Sequence, residues 1–278
     1  MVIIKPINIV TSPMDDRETF TRITKDVDRR NKTDIRIYPL MVFIVLVVFI
    51  IVSMSQVSQL VNGGSDERLQ STGVFVTGIG VVISIMYLLM SRRYSHDDRD
   101  LALMRDLMDF TKGEFDKYGI KEDHYINAMR SCIKAESGLR SFRIRFIVSV
   151  APAAVGLLLM MFNPFSDEAF STTILLFAAS LAINVMFLLG CIVYPRKHEK
   201  NFVKFSDAFV DAMCRCGIRV KGYEPVIGFR PVIPFVILSV ITGGLFFAFW
   251  IYLSMRDMNR HLDEQWNFED SIMESIIM

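Results

Sequence analysis

Five stretches of the chain, about 37–61, 73–90, 146–162, 170–194 and 231–253, contain no Asp, Glu, Lys, Arg or His. Each approaches or exceeds the ~18–20 apolar residues that cross a bilayer as a helix. Soluble core helices rarely stay uncharged over such a length, so five of them in 278 residues point to a polytopic membrane protein. The expected fold class is all-α, a membrane helix bundle of five transmembrane helices plus juxtamembrane amphipathic helices. The net charge of +1 says nothing of orientation. The placement of basic residues does: eight Lys/Arg precede the first apolar block, twelve lie in 91–145 and eight in 195–230, against Arg68 alone in 62–72 and none in 163–169. The positive-inside rule then predicts a multi-pass cell-membrane protein with the N-terminus and both long loops cytoplasmic.

The organisation that follows is a cytoplasmic N-terminal segment (1–36), transmembrane helices 1–2 (37–90), a cytoplasmic helical hairpin (91–145) and transmembrane helices 3–4 (146–194). A cytoplasmic amphipathic helix with a linker (195–230), transmembrane helix 5 (231–253) and an amphipathic tail (254–278) complete it. The N-terminal segment opens on a short β-prone stretch, 2–10, and Ser12-Pro13 then starts a helix over 13–30 with Phe20, Ile23 and Val27 on one face. Residues 121–140 predict a second helix of the hairpin. Gly217, Gly222, Pro225 and Gly228 make 217–230 a connector. Tight turns are expected at Asn62-Gly63-Gly64 and Asn163-Pro164-Phe165, and the basic run Arg140, Arg143, Arg145 should meet the bilayer surface.

Part of the chain repeats. Without gaps, 77–110 lies over 242–275, matching at Thr77/Thr242, Gly78/Gly243, Tyr87/Tyr252, Leu88/Leu253, Met90/Met255, His96/His261, Asp98/Asp263 and Met108/Met273. A weaker copy at 179–212 keeps His198 and Asp211. Beyond each histidine the three copies share apolar positions, Leu101/Val203/Trp266, Leu103/Phe205/Phe268, Leu107/Phe209/Ile272 and Met108/Val210/Met273, with the acidic column Asp109/Asp211/Glu274 opposite. On a helical wheel the histidines fall on the apolar side, where each membrane helix exits. They are expected as interfacial anchors, His96, His198 and His261, together with Trp250 and Tyr252. Gly73, Thr77, Gly80 and Ser84, at spacings of four, three and four, form a small-residue stripe expected to pack another helix, as is Gly243.

The stretch 242–261 resembles the signature of an uncharacterised prokaryotic membrane-protein family, a domain of unknown function, in Thr242, Gly243, Trp250, Tyr252, Asn259 and His261, and departs from it at Gly244 and Phe246. The resemblance implies a membrane fold and no activity.

Function is read from what is present and absent. No ionisable residue lies within the five apolar blocks, which argues against ion-coupled transport. There is no Gly-x-Ser-x-Gly, His-Glu-x-x-His or Gly-Lys-Ser/Thr motif. Cys214-x-Cys216, with His198 sixteen residues earlier, lacks the paired spacing of a zinc site, and Cys132 and Cys191 read as reduced thiols. No catalytic, cofactor-binding or metal residue is therefore expected, and no cofactor. The expected function is a non-catalytic scaffold or assembly partner acting through helix packing, its partners being membrane lipids and other membrane proteins or itself, not nucleic acid. The alternative is a facilitator for a neutral solute, using a helix break at Thr242-Gly243-Gly244; a membrane enzyme with a loop-borne site comes third.

Two inferences collide at the C-terminus. Counting five crossings from a cytoplasmic N-terminus puts residues 262–278 outside, whereas the repeat puts the equivalent helices of the first two copies in the cytoplasm. The tail carries six acidic residues against Arg256 and Arg260, so little resists its export. The sequence thus predicts a single crossing by 231–253, with the tail outside.

Overall fold

The computed structural model describes residues 13–62, 65–137, 142–163 and 166–277. The stretch 2–10, the tips of the turns at 63–64 and 164–165, and the side chains of Arg140 and Arg143 lie outside the described residues. Everything else is helix and connector: α1 (Pro13–Thr33), α2 (Pro39–Asn62), α3 (Ser65–Tyr118), α4 (Asp123–Glu136), α5 (Phe142–Phe162), α6 (Asp167–Arg215), α7 (Val232–Ile241) and α8 (Leu245–Ile277). No strand occurs among the described residues. Helix 1 starts at Pro13 as its sequence dictates, and 218–231 is irregular connector.

Four helices, α2, α3, α5 and α6, are long and apolar enough to cross a membrane. Of these, α3 runs for 54 residues and α6 for 49, roughly 81 and 74 Å at 1.5 Å per residue. The hydrocarbon core takes up only ~30 Å. Both helices therefore continue unbroken past residues 90 and 194 into a polar head, α6 straight through Pro195. Pro152 lies within α5, where it removes one backbone donor. The nearby Ser149 carbonyl is taken up by α6, accepting from Ser180 Oγ at 2.6 Å and Asn184 Nδ2 at 3.2 Å. Buried polar side chains thus join these two spans where no water competes.

The head is built by the repeat. Leu103, Leu107, Phe205, Phe209, Phe268 and Ile272 are all buried in one core, joined by Ile23 and Val27 of α1 and Met129 and Ile133 of α4. The shared apolar columns of α3, α6 and α8 face one another, and Asp211 and Glu274 stay exposed on the opposite side.

That packing corrects the fifth crossing. The segment 231–253 folds back on itself: α7 ends at Ile241, Gly243 and Gly244 take φ of 59° and 94°, and α8 returns. Positive φ is strained for any residue with a side chain, so the paired glycines make the reversal possible here. Phe235 of α7 meets Trp250 and Phe246 of α8 edge-on, at 5.2 and 5.0 Å. The ten residues of α7 reach only ~15 Å, half the apolar thickness. The tip rests beside Ile50 and Met54 of α2, about the matching depth along that helix. The structure thus has four bilayer-length helices and a helical hairpin, α7–α8, in place of a single helix over 231–253, and the tail packs against the head. Arg30 of α1 donates to Asp270 at 2.7 Å, and Ser275 Oγ donates to the Arg219 carbonyl at 2.7 Å.

The small-residue stripe also lies elsewhere than expected. Gly73, Thr77, Gly80 and Ser84 all face outward, and a Cβ on Gly73 or Gly80 would meet nothing within 4 Å. The close approach is at Gly78, whose added Cβ would lie 1.7 Å from the Phe49 ring of α2. Gly243 is at a contact, 3.1 Å from Met54 Cε by the same construction.

Candidate metal centre

Each of the three long helices carries one histidine to the same place in the head. His96 of α3, His198 of α6 and His261 of α8 are 0%, 1% and 0% exposed. One ligand nitrogen from each lies within 4.8 Å of the others. The anchors expected along a lipid boundary are instead one buried cluster, because the apolar faces that carry them pack on each other. Trp250 is buried in the hairpin, and Tyr252 packs its ring against Phe43 and Phe249. The fourth histidine, His124, is exposed on α4, and Cys214 is exposed on α6.

The orientation of the rings is set from behind. His96 Nδ1 is 3.0 Å from Asp34 Oδ1. Burial works to raise the Asp34 carboxyl, but the hydrogen bonds and charges of His96, Arg99 and Trp266 overcome it and hold the group at about 2. Asp34 is thus an anion that accepts the Nδ1 proton. His198 Nδ1 faces Glu136 Oε1 at 3.4 Å; burial opposes ionisation of Glu136, and His198 and Asn201 bring it below the usual carboxylate range. His261 Nδ1 is 2.7 Å from the Tyr223 hydroxyl, which lies 3.0 Å from Glu199 Oε1. A phenol has one proton. With Tyr223 donating to the carboxylate, His261 must donate Nδ1–H to the phenol oxygen. Burial, and then the charges of His198 and His96, push His261 well below the normal imidazole range, so it is neutral.

Nδ1 of His96 and of His261 is hydrogen-bonded from behind, while Nδ1 of His198 faces the Glu136 carboxylate without a hydrogen bond, and the rings meet through their other nitrogens. His96 Nε2 and His198 Nε2 are 3.2 Å apart, and His261 Nε2 is buried without a hydrogen-bond partner. Burial opposes the charge on His198, but Glu136, Asp100 and Asp97 raise its imidazole to about 9, so without an ion a proton lies between these two nitrogens, in the position that a metal ion would take. Two imidazole nitrogens bound to one tetrahedral Zn²⁺ at 2.0–2.1 Å lie about 3.3 Å apart, close to the observed spacing. Asp100 Oδ2, also buried and without a hydrogen-bond partner, is 3.6 Å from His198 Nε2; its other oxygen accepts from Gln265. Three imidazoles are therefore at hand, with Asp100 beside one of them, and each imidazole faces a carboxylate or a phenol held by one, the outer arrangement that fixes tautomer and raises basicity in metal sites.

The surroundings lock this geometry. Arg99, fully buried, bridges Asp34 Oδ2 at 3.1 Å and Glu269 Oε1 at 2.8 Å, and burial raises the Glu269 carboxyl to about 7 against the pull of Arg99. Glu199 also accepts from the backbone N–H groups of Val226 and Ile227 in the connector. Tyr194 stacks on His198 and donates to Asp97. Arg92 donates to Asn259 Oδ1 at 2.7 Å, and Asn259 donates to the Ile37 carbonyl at 2.9 Å, fixing α8 to the entry of α2. The motif at 242–261 thus has structural work at each end, the Thr242–Gly243 tip and the Asn259–His261 exit.

Sequence reasoning missed Asp34, Asp100, Glu136, Glu199 and Tyr223, which occupy no repeated pattern. The histidines carried a signal, equal register on three helices whose apolar faces match. Against known proteins, no family model, curated protein or solved structure matches the chain, so the site is read from its geometry alone.

Proposed function

We propose that this helical, membrane-type protein is a metal-fastened assembly partner, with His96, His198 and His261 binding one divalent transition-metal ion of the zinc class through Nε2 and Asp100 closing the set. The observation that carries the reading is the convergence of one ring nitrogen from each buried histidine within 4.8 Å of the others, with Nδ1 of His96 and of His261 hydrogen-bonded from behind and Nδ1 of His198 facing Glu136 at 3.4 Å. With Asp100 drawn in as fourth ligand, the buried ion would be a structural centre with no position open for substrate. The ion would clamp α3, α6 and α8, elements far apart in sequence, just where they leave the apolar layer. By the distribution of basic residues the head is cytoplasmic and the chain multi-pass.

Among the described residues, the faces left for lateral partners include α7, of which no residue is buried, the outward stripe of α3 and the apolar outer faces of α2 and α5. Lipids, other membrane proteins or a second copy would cover them. The facilitator reading draws on the hairpin break, but the tip is lined by Ile50 and Met54, and the Thr242 hydroxyl is already engaged with Leu238 and Phe246. The test is metal analysis of the full chain purified in mild detergent without added metal. One ion per chain is expected, lost in His198→Ala and retained in His124→Ala; a chain that binds no transition metal when supplied, or binds it equally in both variants, overturns the proposal. Activity appearing only with bound metal would favour an enzyme instead.

A further inference from the structure

Where α3, α5 and α6 meet at the edge of the apolar layer they enclose a cavity of about 190 Å³. Its depth follows from the sequence. Met90 closes the uncharged run of α3, Arg145 immediately precedes that of α5, and Gly190 lies near the end of that of α6. Its lining joins charge to apolar surface: Arg93, Asp97 and Arg145 with Met90, Met186 and Phe187, of which Met186 is exposed on the outside of α6. Arg93 is braced, stacking 3.7 Å over the Tyr194 ring and lying 3.6 Å from Asp97 Oδ2. Arg145, only partly exposed, has no carboxylate partner among the described residues. With Asp97 taken up by Arg93 and Tyr194, the cavity keeps one uncompensated positive charge. At Gly190 a Cβ would meet nothing within 4 Å, so the opening is not filled from that side.

We infer that this cavity binds the head group of an anionic phospholipid, its phosphate on Arg145 and Arg93 and its acyl chains running out along Met186 and Phe187. A guanidinium pair suits phosphate oxygens, and basic pockets between spans at head-group depth take anionic lipids. The volume is below the ~300 Å³ of an ordinary small-molecule pocket, so it suits a head group whose remainder stays in the bilayer. A free anion would gain nothing from the apolar wall. Tyr194, which supports Arg93, also stacks on His198, so the lipid and metal sites share a wall.

The test uses the full chain, delipidated in neutral detergent and titrated with pyrene-labelled phosphatidylglycerol. Saturable binding is expected, undisturbed by inorganic phosphate and absent with phosphatidylcholine. Arg145→Gln should weaken it about tenfold, the worth of one charge-assisted contact, Arg145→Lys should restore much of it, and Gly190→Leu should block it while leaving the metal content at the wild-type level. Equal binding of phosphatidylcholine, displacement by inorganic phosphate, or unchanged affinity in Arg145→Gln would overturn the inference. Should Gly190→Leu fail to fold, the two Arg145 variants decide alone.

Discussion

The Tyr223→Phe substitution isolates the outer shell of the proposed centre. It removes one oxygen and leaves the ring, which packs edge-on against Phe202 at 5.0 Å. That oxygen is the acceptor for His261 Nδ1–H. Glu199 loses one donor but keeps the backbone N–H groups of Val226 at 2.8 Å and Ile227 at 3.0 Å, so the carboxylate is not stranded and the connector stays docked. The expected fold is intact. What changes is the His261 ring, whose orientation and basicity at Nε2 are no longer set from behind; removing such a partner weakens metal affinity about 10–100-fold, or about 1.4–2.7 kcal/mol. Competition of the purified protein with a chromogenic chelator measures this directly, and saturating metal should still load one ion per chain. An affinity within about twofold of the wild type, with stoichiometry intact, would refute His261 Nε2 as a ligand. Glu136→Gln should behave in parallel at His198, and His124→Ala, remote from the cluster, should not change affinity.

Three further outcomes follow from the fold. Gly78→Ala forces the Phe49 ring aside and should lower stability by about 1–3 kcal/mol, whereas Gly80→Ala, facing open space, should be neutral or slightly stabilising; thermal unfolding in detergent separates them, and equal effects would refute the assigned packing face. Asp26 of α1 is raised to about 6, first by burial and then by Asp106; its neutral form is the one the fold prefers, so that preference is complete below the unfolded value near 4 and fades as pH rises through 6. Asp26→Asn should therefore stabilise by about 1–2 kcal/mol at pH 7 and flatten the pH dependence of the melting temperature between about 4 and 7, and a larger stabilisation at pH 4 than at pH 7 would contradict it. In a chain with its four native cysteines replaced, Ser275→Cys and Ser137→Cys should respond alike to a membrane-impermeant thiol reagent on intact cells, both protected until the membrane is opened; labelling of position 275 alone would restore the fifth crossing.

Most of the helical architecture was legible in the sequence, because uncharged length and apolar periodicity are properties of single helices. The connector at 217–230 and the columns Leu103/Phe205/Phe268, Leu107/Phe209/Ile272 and Met108/Val210/Met273 stand where their patterns put them, while Trp266 leaves its column to meet Arg30, Arg36 and Asp34. The histidine cluster was half legible. The wheel placed His96, His198 and His261 on the apolar faces, but a wheel describes one helix at a time, and the meaning of those positions lay in which surface covered them. Three apolar faces of equal register cover one another more completely than a lipid head-group layer can, and residues at equal register then meet. Asp34, Glu136 and Tyr223 were beyond reach, since they enter from the link after α1, from α4 and from the connector after α6, at positions that only tertiary packing fixes.

The fifth crossing failed for a different reason: 23 uncharged residues are sufficient for a span but do not require one. Crossing count weighed the length of 231–253 and the acidic tail; the repeat weighed Thr242-Gly243 against Thr77-Gly78. The structure shows why the second was the stronger constraint. Both glycines sit against the same helix, Gly78 under the Phe49 ring, which leaves no room for a side chain, and Gly243 beside the flexible end of Met54, where positive φ is what calls for glycine, so α2 is held between two copies of one element. In the first copy the helix continues past the contact, Gly78 lying thirteen residues beyond Ser65. In the last, a second glycine at 244 allows positive φ at both positions, and the chain turns there instead. Orientation is thereby inherited from the packing of the copies on α2 and of their histidines on each other. The tail need not resist export, because it is bound within the head through Arg30, Asp34 and Arg99.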